Sequence, residues 1–100
     1  MIPINLHFKN FPATEALENY INKRFKSLEK FKDLVMHVDL HMAEERGQYV
    51  GTAVAKLKGK TVRVEARNKD PMSVVDEIKD ILLREVKREK EKIKLERRRS

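Results

Sequence analysis

The period of the apolar pattern changes three times in 100 residues, and that succession constrains the fold more than any single motif. Ile2, Ile4, Leu6 and Phe8 alternate with Pro3, Asn5 and His7, the period-two pattern of a strand with one buried face. After Thr14, a good N-cap residue, Leu17, Tyr20, Ile21, Phe25, Leu28 and Phe31 make a stripe about 140° wide at 100° per residue, which predicts an amphipathic helix. Alternation returns at Leu34, Met36, Val38, Leu40 and Met42, and breaks over the polar residues 44–48 around Gly47. It resumes from about Tyr49 to Leu57, with Ala53, Ala55 and Leu57 on one face, turns at Lys58-Gly59-Lys60, and continues as Val62, Val64 and Ala66. Asp70-Pro71 reads as the N-cap and first residue of a second helix, where proline forfeits no intrahelical hydrogen bond. Its stripe is Val74, Val75, Ile78, Ile81, Leu82 and Val86.

The order β-α-β-β-β-α predicts an α+β fold, a four-stranded mixed sheet with two helices packed on one face. The first β-α-β unit should be parallel, and strands two to four an antiparallel meander. A single domain over residues 1–95 accounts for every periodic segment, and the basic residues 96–100 are expected to fray as a tail. A domain this small buries only about 60–65% of its unfolded surface, so the core must be thin. A second helix from 71 to about 95 would measure roughly 37 Å against roughly 27 Å for an eight-residue strand. Its basic end should therefore outrun the sheet.

The net charge of +7 is unevenly placed. Residues 1–50 carry seven basic and seven acidic side chains, so the whole excess lies in the second half, sixteen against nine. Within that half, residues 51–69 hold six against one, 70–85 two against five, and 86–100 eight against three. Two basic blocks thus flank an acidic helix start, and a polyanionic partner is the simplest physical reason to hold like charge together. A solvated Lys/Glu-rich surface is the alternative reading.

Other chemistries are poorly supported. With no cysteine there is no disulfide framework or thiolate cage. His37 and His41 lie about 13 Å apart along a strand, too far for one ion even with Asp39 between them. No nucleophile elbow or glycine-rich phosphate loop is present, so neither an enzyme nor a cofactor, metal or small-molecule site is expected. The apolar runs fall well short of the roughly 20 residues of a membrane span. The chain reads as cytosolic.

The basic residues of the helices are candidates for contact with nucleic acid. On the first, Lys23, Lys26 and Lys30 fall within about 60° of one another, opposite Leu17 and Leu28, while Arg24 sits nearer the apolar stripe. On the second, Arg84, Arg88 and Lys92 form one i, i+4 line, and Lys87, Lys90 and Lys94 another behind it. Such lines can track a phosphate backbone. The competing reading pairs these bases with Glu85, Glu89 and Glu91, each pair contributing about 0.2–0.5 kcal/mol. Lys56, Lys58 and Lys60, at the end of strand three and its turn, are expected to lie away from the helix ridges. The aromatic residues are mostly claimed by core patterns, so structured or duplex RNA read through its backbone is favoured over stacking on splayed bases.

Two segments carry a resemblance: TEALENYINKRF at 14–25 with Leu28-Glu29, and DPMSVVDEIKDILLREVKREKEKIK at 70–94. Over nearly the whole chain they resemble the ribosome hibernation promoting factor and ribosome-associated inhibitor family. Thr14, Ala16, Leu17, Arg24, Phe25 and Leu28 match its first helix, and Asp70, Val75, Asp76, Ile78, Leu82, Arg84, Val86, Arg88, Lys90, Lys92, Ile93 and Lys94 its second. Ser27 stands where the family usually has lysine and Met72 where tyrosine is frequent, and residues 43–49 align poorly. The resemblance implies a partner in the small ribosomal subunit and its ribosomal RNA, bound in the channel of mRNA and tRNA during stress or stationary phase. Within that reading the RNA-binding residues are Lys23, Arg24, Lys26, Lys30, Arg84, Lys87, Arg88, Lys90, Lys92 and Lys94. Two alternatives remain open. One is a generic duplex-RNA binder, and the other a protein-protein module that docks or weakly self-associates through the open sheet face of Thr52, Val54, Lys56, Arg63, Glu65 and Arg67.

Overall fold

The computed structural model describes residues 1–99, with side chains through Glu96. Its elements run β1 (Ile4–Lys9), α1 (Glu15–Phe25), a 3-10 helix (Lys26–Phe31), β2 (Val35–Glu45), β3 (Gln48–Leu57), β4 (Lys60–Asn68) and α2 (Pro71–Arg99). The sheet order is β1-β2-β3-β4. β1 pairs with β2 in parallel, and the β2/β3 and β3/β4 pairs are antiparallel, as the pattern of periods predicts.

Both helices cover the sheet face formed by Val38, Leu40, Met42, Ala53, Ala55, Leu57, Val62 and Val64. The six helix residues at the centre of the predicted stripes, Leu17, Ile21, Leu28, Val75, Ile78 and Leu82, are at most 5% exposed. α2 comes unusually close to the sheet at Gly51, where a Cβ would stand 2.6 Å from both Ile78 Cδ1 and Val74 Cγ1. Each helix starts as its sequence dictates. The Thr14 hydroxyl accepts from the Leu17 amide at 3.1 Å, and the Asp70 carboxylate accepts from the Met72 amide at 3.2 Å and the Ser73 hydroxyl at 3.1 Å.

Two boundaries and one strand position differ from the sequence reading. The first helix tightens into 3-10 geometry after Phe25, where the Ser27 hydroxyl donates to the Arg24 carbonyl at 3.1 Å. Phe25, Leu28, Phe31 and Leu34, three apart, are all buried, and three residues per turn is the period that puts the first three on one line. In β2, Val35 pairs with Leu57 and His37 with Lys56, so Met36 is an extra, bulged residue and stands 54% exposed rather than in the core. α2 continues past residue 95 to Arg99, so the expected frayed tail is helical there. Ser100 lies outside the described residues. At about 1.5 Å per residue, the 29 residues of α2 reach far beyond the sheet.

Candidate nucleic-acid interface

α2 separates into two stretches at Val86, its last fully buried residue. Beyond it, Lys87, Arg88, Lys90, Lys92 and Lys94 are exposed and, among the described residues, only the hydrophobic Ile93 still packs on the core. Lys87, Lys90 and Lys94 lie toward the border that also carries Asp76, the side facing α1. Arg88 and Lys92 lie roughly 120–160° from Lys90 and Lys94 around the helix. The two basic lines therefore wrap the overhang instead of sharing one border.

Acidic neighbours neutralise few of these charges. Among the described residues, Arg88 pairs with Glu85 at 3.4 Å, and Glu89 pairs with Lys60 of β4 at 3.4 Å. No ion pair of the described residues involves Lys87, Lys90, Lys92 or Lys94. The helix-supporting alternative required such pairing along the whole overhang.

The first-helix candidates divide. Lys23, Lys26 and Lys30 are all exposed, but four residues of 3-10 helix turn Lys30 about 80° further than an α-helix would, away from the expected ridge. Lys26 borders a groove with Met1, Pro3 and Asn22, whereas Lys30 lies on the α2 side. Its ammonium stands 5.5 Å from the centre of the Phe31 ring and that of Lys90 stands 5.4 Å away, so one aromatic ring gathers a lysine from each helical segment. Arg24 joins the two helices through one nitrogen while its side chain stays 41% exposed. Its Nε donates to Asp76 at 2.9 Å, and the Tyr20 hydroxyl donates to the same carboxylate at 2.8 and 2.9 Å, joining α1 to α2. That hydrogen bond, followed by partial burial and the negative charge of Asp76, raises the Tyr20 pKa above its ordinary value.

One functional candidate escaped the sequence reading. Lys58 lines the same groove as Lys30, Lys90 and Lys94, so it does not lie away from the helix ridges as expected, and Lys60 touches α2 through Glu89. The signal was available in the meander. Val35 opens β2 beside Leu57, which closes β3, so the following turn must sit where the first helix ends. The Lys58 amide indeed donates to the Leu34 carbonyl at 3.0 Å.

The opposite sheet face carries His37, Asp39, Thr52, Val54, Lys56, Arg63, Glu65 and Arg67, exposed or half-exposed as expected. His7 and His41 stack there with ring centres 4.3 Å apart, an arrangement their separate strands concealed until the parallel register paired them. The mixed charge of this face gives a large apolar interface no foundation.

Comparisons with known proteins agree with this architecture. The family model described as Sigma 54 modulation protein / S30EA ribosomal protein matches residues 4–94. The ribosome hibernation promoting factor of Escherichia coli (strain K12) is 25% identical over 91 residues, covering 91% of this chain and 96% of that protein. The ribosome hibernation promotion factor of Staphylococcus aureus (strain COL) is 30% identical over 96 residues, 93% of this chain but 50% of that protein. Among solved structures, a ribosomal subunit interface protein from Coxiella burnetii superposes with a TM-score of 0.82 at 18% identity, covering 89% of this chain and 98% of that one. The N-terminal domain of Thermus thermophilus Protein Y superposes at 0.80 with 25% identity, covering 88% and 98%.

Proposed function

The chain belongs to the Sigma 54 modulation protein / S30EA ribosomal protein family, and from that premise we propose that it binds ribosomal RNA in the mRNA and tRNA channel of the small ribosomal subunit and silences the ribosome in stress or stationary phase. The observation that carries this reading is the exposed, largely unpaired set of lysines on the α2 overhang, joined at its base by Lys30 and Lys58. Holding those charges together without acidic partners is unfavourable for the isolated protein and favourable once a polyanion supplies phosphates. Relatives named ribosome hibernation promoting factor align over 91% of the chain, which supports a role in ribosome hibernation. Such a role is carried out in the cytoplasm, by stoichiometric occupancy rather than catalysis.

Sedimentation with purified small subunits tests the proposal. The protein should co-migrate with them at low salt and be released as salt rises, because each phosphate contact frees counterions. Translation in a cell-free system should fall in step with occupancy, and added mRNA and tRNA should compete. Absence from small subunits at low salt defeats the proposal. Preference for free duplex RNA over intact subunits would favour the generic binder.

A further inference from the structure

The groove between the 3-10 helix, the β3/β4 turn and α2 has an apolar floor that phosphate binding leaves unused. Phe31, Leu34 and Ile93 form that floor, and Lys30, Lys58, Lys90 and Lys94 stand at its rim with Asp33 as the one acid. Its volume is about 370 Å³, near the lower end of the roughly 300–1,000 Å³ of small-molecule sites. The backbone of a paired RNA would bring phosphates to the rim and leave the floor facing water, since its bases are stacked inside. A nucleotide turned out of the strand offers both halves of the match: a flat ring for the floor, and flanking phosphates for lysines drawn from three elements.

We infer that this groove takes one unpaired nucleobase of an RNA strand, its ring against Ile93 and the accessible parts of Phe31 and Leu34, its neighbouring phosphates held by the four lysines. The inference rests on the RNA-binding reading and adds a specificity to it, namely for strands with an unpaired base. Phe31 is only 8% exposed, and its ring already has two ammonium groups over it. The new contact is therefore apolar burial in a cationic frame rather than aromatic stacking. Charge complementarity selects the occupant: the rim is net positive by three among the groove's lining residues, and an uncharged apolar ligand would leave it unanswered.

Three RNA hairpins of identical stem sequence test it: one fully paired, one with a single bulged 2-aminopurine, and one with an abasic bulge at the same place. The last two have the same phosphates and differ only in the base. The full chain should bind the bulged base about tenfold more tightly than the abasic site, the gain expected from burying roughly 55 Å² of apolar surface, with a change in 2-aminopurine fluorescence. Ile93→Ala keeps helix propensity and every charge. It should abolish that preference while leaving affinity for the paired hairpin and its salt slope unchanged. Equal affinity for the bulged and abasic hairpins overturns the inference and leaves the RNA-binding reading intact. Equal occupancy of the groove by a free nucleoside monophosphate would reassign the site to a soluble nucleotide and overturn it too. If the hairpins fail to bind but small subunits do, Ile93→Ala should weaken subunit binding about tenfold, and an unchanged affinity refutes the groove. Failure of subunits and hairpins together removes both readings.

Discussion

Residues 71–86 and residues 87–96 of α2 belong to one continuous helix but answer to different physics. In the first stretch Val74, Val75, Ile78, Leu82 and Val86 are fully buried against the sheet, and the charges are predominantly acidic. In the second, five basic side chains stand against three acidic ones, Leu95 is 56% exposed, and Ile93 alone still packs on the core. If the overhang binds RNA as proposed, the contrast assigns folding and binding to separate stretches of the same element. Substitutions should therefore fall into two classes with little overlap.

The largest effect belongs to the buried stretch. Leu82→Ala should cost roughly 2–5 kcal/mol in denaturant unfolding, a large share of the roughly 5–15 kcal/mol that holds a domain together. A loss below about 0.5 kcal/mol would show that the helix is not seated as described. Gly51→Ala comes next. The added methyl must push Ile78 and Val74 away from 2.6 Å, and overpacking of this kind costs about 1–3 kcal/mol. Gly47, with φ +78° and nothing near its missing Cβ, would suffer from its backbone conformation instead, so the two substitutions separate packing from turn strain.

The exposed stretch should behave in the opposite way. Replacing Lys87, Lys90 and Lys94 with glutamine preserves helix propensity and should leave the unfolding midpoint nearly unchanged. Affinity for small subunits should fall roughly ten- to hundredfold, and the log–log salt slope should flatten by about 2.7 for three lost phosphate contacts. The control is Lys9, Lys56 and Arg63, all exposed on the far sheet face, changed to glutamine together. Equal losses from both triple variants would mean long-range attraction, with no site on the overhang. The equivalent change of Arg84, Arg88 and Lys92 tests the other side of the helix and shows whether RNA wraps the overhang or meets one border.

How far the sequence predicts this molecule depends on whether a feature is periodic or made by contact. The strand and helix order, both caps and the central core residues follow from spacing and local hydrogen bonding alone. The 3-10 segment was also written there, in apolar residues at intervals of three from Phe25 to Leu34, but an α-helical wheel absorbs that interval as well as a tighter one. The Met36 bulge was not legible, because alternation cannot show where a strand gains an unpaired residue. The site was half legible: exposure of the basic residues follows from the apolar stripes, while the meeting of Lys30, Lys58 and Lys90 depends on where the meander returns. Arg24 marks the limit. Its charge suits RNA as well as it suits Asp76, and only the docking of α1 on α2 decides that the carboxylate holds its Nε.

The smallest expected effect lies at that docking contact, between α1 and the first stretch of α2. Tyr20 donates to Asp76, and ionising its phenol would both remove the donor and set a second negative charge beside the carboxylate. The folded pKa is therefore raised, and the neutral hydroxyl is the form that the fold favours. By linkage, the contribution is fully present below the ordinary tyrosine pKa of about 10 and is lost as pH rises through the higher folded value. Tyr20→Phe should accordingly lower stability slightly at neutral pH and flatten its decline in the alkaline range, with small-subunit affinity at pH 7 unchanged. Denaturant unfolding of both proteins from pH 7 to the alkaline limit reads this directly. Parallel curves with the same alkaline slope would show that the Tyr20–Asp76 contact does not couple the two helices. Asp76→Asn sharpens the result, because it removes the charge that Arg24 answers while keeping an acceptor for Tyr20, and a larger loss from it than from Tyr20→Phe would assign most of the coupling to the ion pair.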